Sequence, residues 1–285
     1  MSEVTAPQPK AFDSGLTIPD FAGCLSMGLR PLGLVQGFFY GQISGWSSYS
    51  ATVARNYPCV CMETAPHTSG WLGEVQALDA AWMSAHQTAL QRMLQEAAAL
   101  GAHGVVGVTT EMGHPTNQNS CDVHLYGTAV EVEGATAPSQ PWSTQLAGHK
   151  LAKLIEIGFV PSSVVYARCT AMIVEGCYME YYGSGRCGTG YVISPLQDAH
   201  ELARSGAIRA ARQVSPESSL YDVRMQVHET EGSGGRSALS QVGGLGQALG
   251  GSATYVTCAL LGSLVRRVRP TLPLSAPVPT VNLAS

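Results

Sequence analysis

Charge is scarce in this chain. Only 13% of its 285 residues are Asp, Glu, Lys or Arg, about half the ~25% usual in soluble globular domains. Surfaces so poor in charge are expected to be covered by the chain itself or by other subunits. Positive charge is the scarcer sign: 16 Lys and Arg against 20 Asp and Glu leave a formal net charge of −4, and the only basic cluster is Arg266, Arg267 and Arg269. With no basic stripe to release counterions, nucleic acid is not an expected partner.

Long hydrophobic runs are also lacking. The longest, roughly Ala253 to Val265, is interrupted by Thr and Gly and falls short of the ~20 residues a membrane-crossing helix needs. It reads as a buried strand. From Met1 to Phe21 Lys10 is the only base, and no apolar core of signal-peptide length is present. The expected location is therefore cytoplasmic, and the eight Cys are expected to be reduced thiols rather than a disulfide framework.

Catalytic signatures are missing too. Gly183-Ser184-Gly185 and Gly244-Leu245-Gly246 do not follow a clear strand and open a helix with Lys-Ser/Thr, as a phosphate loop requires. No Gly-x-Ser-x-Gly elbow occurs. Glu111, Asp122 and Glu131 lie near strand ends without a paired acid and base. No catalytic residue is assigned and the expectation is a non-enzyme. An enzyme of an unrecognised class would need a pocket where one of these carboxylates meets a His.

What the sequence does have is self-similarity. Gly28-Leu29-Arg30-Pro31 and Gly158-Phe159-Val160-Pro161 stand 130 residues apart (158 − 28), each followed by an apolar run, and at the same offset Val35 falls on Val165 and Ile43 on Ile173. Farther on, Gly127-Thr128-Ala129-Val130 matches Gly262-Ser263-Leu264-Val265, with the offset grown to 135 (262 − 127).

In the first half Gly33 to Ser44 reads as a strand, and a helix is expected from about Glu74 to Leu100. On it Leu78, Trp82, Ala85, Ala89, Met93, Ala97 and Leu100 recur every three or four residues as one apolar stripe. Gly101 suits the position just past its end. Gly104 to Thr110 and Cys121 to Val132 follow as strands. In the second half a helix starts at Ser194 with Pro195 in its first turn and stops before Pro216.

The fold class expected is thus α/β (α+β), two tandem β-α-β-β modules, each a small sheet packed on a long helix. Residues 1–24 form an N-terminal extension, 25–133 the first module, 134–143 a Pro-containing linker, 144–269 the diverged second module and 270–285 a Pro-rich tail. Edge strands with almost no charge, Gly33 to Ser44 and Val164 to Val174, favour pairing with another module over exposure.

The stretches Leu32–Gly41 (LGLVQGFFYG), Glu96–Val108 (EAAALGAHGVVGV) and Tyr126–Val132 (YGTAVEV) resemble, in order, the signature stretches of the YbjQ-like family, labelled a heavy-metal-binding domain. The second half resembles it in Gly158–Ala167, Tyr221–Val227 and Leu260–Val265. The resemblance implies compact modules that assemble into rings, commonly pentameric, without known catalytic residues. It carries over no ligand set residue by residue.

Among candidate ligands, Cys59-Val60-Cys61 with His67 offers two thiolates and an imidazole suited to Zn or Cu(I). One residue between the Cys is tighter than the two to four of closed zinc sites, and on a strand both could be small core side chains. Cys169, Cys177 and Cys187 have no recognised finger spacing, and His103, His114 and His124 form at most a loose imidazole cluster. Three readings follow: a ring-forming scaffold or binding module, a Zn- or Cu-binding protein, and an unrecognised enzyme. The first has the most support, with self-association as the expected partnership.

Overall fold

The computed structural model describes residues 13–42, 72–74, 76–113, 120–174, 194–232 and 253–268. Among these residues four helices and eight strands run in the order α1 (Ile18–Ser26), β1 (Leu29–Gln42), β2 (Leu72–Glu74), α2 (Gln76–Ala99), β3 (Gly104–Gly113), β4 (Ser120–Val132), β5 (Trp142–Ser143), α3 (Gly148–Glu156), β6 (Phe159–Val174), α4 (Ser194–Val214), β7 (Ser219–Gly232) and β8 (Ala253–Arg267). The fold is α+β. One sheet is ordered β1-β4-β3-β5 and the other β2-β6-β8-β7.

Each half is a short helix, a long strand, a long helix and a hairpin, so the expected β-α-β-β order is preceded by a helix in both cases. Irregularities fall at matching places. Pairing of β1 with β4 shifts between Pro31 and Gly33, and that of β6 with β8 between Pro161 and Ser163, where a proline without an N–H interrupts the ladder. Pairing of β3 with β4 shifts between Val106 and Thr109, and that of β7 with β8 between Tyr221 and Arg224. Each of these bulges holds a left-handed residue, Gly107 (φ 64°) in one and Asp222 (φ 50°) in the other.

Helix α1 is capped by Thr17, whose hydroxyl accepts the Asp20 N–H, and Asp20 sits in the first turn where the helix dipole favours an anion. It runs across the boundary read between the N-terminal extension and the first module, and crosses α3 at close range. A Cβ on Gly23 would stand 2.8 Å from the Gly148 backbone. That crossing and its neighbours Leu29, Val106, Val130, Leu151, Leu154 and Val265 bury one end of the molecule.

Helix α2 lies between the sheets, with the four-layer order α4, second sheet, α2, first sheet. One hydrophobic cluster joins its Ala85, Ala89, Met93 and Ala97 to Val35, Val105 and Leu125 of the first sheet and to Val164 and Tyr166 of the second. It approaches β1 closely because Gly37 has no side chain: a Cβ there would stand 2.0 Å from the Ala89 carbonyl oxygen. Helix α4 covers the other face of the second sheet with Ala199, Ala203, Ala207 and Ala211, every fourth residue, against Ala167, Cys169, Cys258 and Leu260.

The linker boundary is crossed by pairing. Trp142 and Ser143, placed in the linker by composition, run parallel to Gly104 and Val105 as an added strand of the first sheet. In turn β2 from the first half pairs with Ala171–Ile173 of β6. The stretch Val164–Val174, expected as an edge, therefore has β8 on one side and β2 along part of the other, and the outer strands are β1, β5, β2 and β7. Two polar groups of β1 are met from within the chain: the Gln36 N–H donates to Glu96 (2.7 Å), and the Phe38 carbonyl accepts from Arg92 (2.6 Å).

Candidate functional site

The informative surface is the interface between the halves, together with the open face equivalent to it. On the second sheet, the side facing α2 carries a buried polar cluster. The Asp79 carboxylate of α2 accepts the Thr170 N–H and hydroxyl, each at 2.7 Å, and pairs with Arg168 at 3.2 Å. Thr170 also lies 3.1 Å from the Thr257 hydroxyl. The Arg168 guanidinium sits 5.2 Å from the Trp82 ring centre, as a planar, weakly hydrated cation can. His86 stacks on Tyr166 with ring centres 5.2 Å apart. Burial raises the Asp79 pKa above the usual carboxylate range despite those partners, and desolvation pushes His86 down to about 3, so its imidazole is neutral.

The corresponding face of the first sheet has no such cover among the described residues. Counting 130 residues back, Val164, Tyr166, Arg168 and Thr170 become Leu34, Gln36, Phe38 and Tyr40. In the second sheet Val164, Tyr166 and Thr170 are 3%, 6% and 1% exposed; in the first, Leu34, Phe38 and Tyr40 are 43%, 54% and 60% exposed. On neighbouring strands of the open face the Tyr126 hydroxyl donates to Glu111 (3.0 Å), Asp122 pairs with His124 (2.8 Å), and His124 stacks on Phe38 with centroids 6.0 Å apart. Asp122 does meet a His, on an exposed strand face and half out in solvent.

One short segment ties each half to its own sheet by the same three hydrogen bonds. Before α1, the Ser14 and Thr128 hydroxyls lie 3.3 Å apart, the Gly15 N–H donates to Thr128 (3.2 Å) and the Leu16 N–H to Ser14 (3.1 Å). Before α3, the Thr144 hydroxyl donates to Ser263 (3.1 Å), the Gln145 N–H to Ser263 (3.0 Å) and the Leu146 N–H to Thr144 (3.1 Å). The second segment also reaches outward. The Thr144 N–H donates to the Val105 carbonyl, and its carbonyl accepts the Val108 N–H, while the Leu146 carbonyl accepts the Gly107 N–H.

The metal candidates Cys59, Cys61 and His67 lie outside the described residues, as do His114, Cys177 and Cys187. Among the described residues no three His, Cys, Asp or Glu side chains are grouped so as to hold a metal ion. Cys24, Cys121, Cys169 and Cys258 are buried and form no disulfide; Cys169 and Cys258 face each other across β6 and β8, while Cys24 and Cys121 lie in two other clusters. Burial pushes the Cys24, Cys121 and Cys258 thiols up, so each is held as the neutral thiol. His103 is buried and its Nδ1 accepts the Val132 N–H at 3.2 Å, a structural role. No motif or spacing pointed directly to the Asp79–Arg168–Thr170 cluster; the signal lay in an Asp and a His within a long helix whose non-stripe side carries little other charge. No described helix is long and apolar enough to cross a membrane.

Comparison with known proteins is consistent with a module in the first half and adds nothing for the second. No curated protein matches the chain. A family model described as "Putative heavy-metal-binding" (YbjQ_1) matches residues 45–133, a span that takes in Cys59, Cys61 and His67 and runs through α2 to β4, and over those residues the chain is similar to that family.

Proposed function

We propose that the chain is a non-enzymatic, self-associating scaffold built from two copies of one module, the second strongly diverged, which join head to tail into a closed ring. The observation that carries this reading is the contrast between the two sheets: a face covered by α2 in the second half stands open, with Leu34, Phe38 and Tyr40 exposed, in the first. Each such side chain contributes roughly 1.5–3 kcal/mol when fully covered. Matching bulges and the repeated three-bond tether support common descent of the halves. A chain carrying two modules supplies them in pairs, so its ring holds an even number of modules and differs in that respect from a pentamer of single ones. Sedimentation at micromolar concentration tests the proposal. A closed multiple of 29.9 kDa is expected, and a clean monomer refutes it.

The second reading is binding of Zn or Cu, favoured by the description of the matched family. Its ligands would be Cys59, Cys61 and His67. Elemental analysis of protein purified without chelator, beside the Cys59→Ser/Cys61→Ser variant, decides it: metal present in the parent and lost in the variant supports this reading, and equal content in both removes it.

A further inference from the structure

Among the described residues, the internal interface has two counterparts, one at each end of the repeat, that meet no partner segment of the kind found inside it. At one end is the segment Asp13–Leu16, docked on Thr128 as Thr144–Leu146 is docked on Ser263. Thr144 and Leu146 turn their remaining backbone groups to the free side of β3, at Val105, Gly107 and Val108. At the other end is β7, the strand in the place of β3, which among the described residues pairs with β8 alone and forms an outer edge of its sheet. Its register supplies the counterparts. Val105 pairs with Ala129 and Leu220 with Leu264, 135 residues later; Val106 pairs with Thr128 and Tyr221 with Ser263. Asp222, left-handed like Gly107, and Val223, 42% exposed, take the next two places.

We propose, resting on the scaffold reading, that the occupant of the β7 edge is a second copy of this chain, whose Ser14–Leu16 segment adds to β7 as a parallel strand. The Ser14 N–H donates to the Leu220 carbonyl, the Val223 N–H to the Ser14 carbonyl and the Asp222 N–H to the Leu16 carbonyl. The same docking lays the outer side of α4 over the open face of the first sheet. Charge supports that pairing. The exposed side of α4 presents Arg204, Arg209 and Arg212 against Asp198 and Glu201, whereas the open face carries Glu111 and Asp122 on strands β3 and β4, which have no Lys or Arg. Inside the chain the same chemistry runs the other way, with Arg168 of the sheet meeting Trp82 and Asp79 of helix α2, while on the open face Phe38 already receives the Arg92 guanidinium 5.7 Å from its ring centre. The interface is heterologous: the two surfaces differ, so one chain offers a head and the next a tail.

Complementation of two variants tests it. Val223→Pro removes an N–H from the tail and leaves the head intact; Ser14→Pro removes an N–H from the head and leaves the tail intact. Each alone is expected to sediment at 29.9 kDa, and an equimolar mixture at twice that mass, with no larger species. Dimerisation on mixing also shows that both variants are folded at their working ends. If the full chain assembles but either variant keeps the parental mass, or the mixture stays monomeric, this interface is wrong while the scaffold reading stands. A monomeric parent chain removes both.

Discussion

His86 offers the sharpest test of the packing between the halves. Its imidazole is 2% exposed, its Nε2 has no hydrogen-bond partner, and desolvation holds its pKa near 3. An unfolded His titrates near 6.5, so between pH 6.5 and 3 the unfolded chain binds more protons than the folded one. Stability from this residue is complete above pH 6.5 and is lost as pH falls, up to about 5 kcal/mol by pH 3 at 1.36 kcal/mol per unit. From pH 7 to pH 5 the loss is about 2 kcal/mol. Asp79 acts in the opposite sense as pH falls, because its folded pKa is raised, and its contribution is common to parent and variant. His86→Phe keeps a ring over Tyr166 and removes the proton. Urea unfolding at both pH values, at one protein concentration, should show the variant gaining about 2 kcal/mol on the parent between pH 7 and pH 5. Parallel losses in the two proteins would refute the claim that His86 is buried and uncharged against the second sheet.

Asp79→Ala leaves Arg168 buried without its carboxylate and should cost about 3–5 kcal/mol, measured by urea unfolding; a loss under about 1 kcal/mol would place Arg168 in water. Gly37→Ala puts a methyl group into the Ala89 carbonyl, and the forced shift of α2 should lower stability by about 1–3 kcal/mol or more; an unchanged melting temperature would show that α2 is not seated on β1. Thr17→Ala removes the α1 cap and should cost about 1 kcal/mol, with faster amide exchange in the first turn of α1 as its readout.

Much of the first half could be read from periodicity. Leu78, Trp82, Ala85, Ala89, Met93 and Ala97 form a stripe at helical spacing, and all but the half-buried Leu78 are buried, while Leu100 is 48% exposed because the helix has already ended at Ala99. Gly101 takes the left-handed conformation (φ 75°) expected past a helix end. The short helices α1 and α3 escaped because nine residues carry too few turns for a period to stand out, and their stability comes from crossing each other at Gly23 and Gly148. Strand β5 escaped because two residues have no pattern at all. The second covered side of α2 was illegible for a different reason. Asp79 and His86 are polar types that ordinarily mark a solvated face, and only the sheet from the other half makes them interior. The candidate ligands Cys59, Cys61 and His67 rest on spacing alone, since they fall outside the described residues.

The exchange of short strands between the halves bears on how the chain folds. The second half cannot detach without stripping β5 from the edge of β3 and uncovering Asp79 and His86, and the first cannot detach without withdrawing β2 from β6. Each half thus completes the other, and the unit of cooperative unfolding is the whole chain rather than the module. Cutting at residues 134–143, where composition alone would divide the protein, separates Trp142 and Ser143 from the sheet they belong to and produces two fragments with bare strand edges prone to pairing with the wrong neighbour.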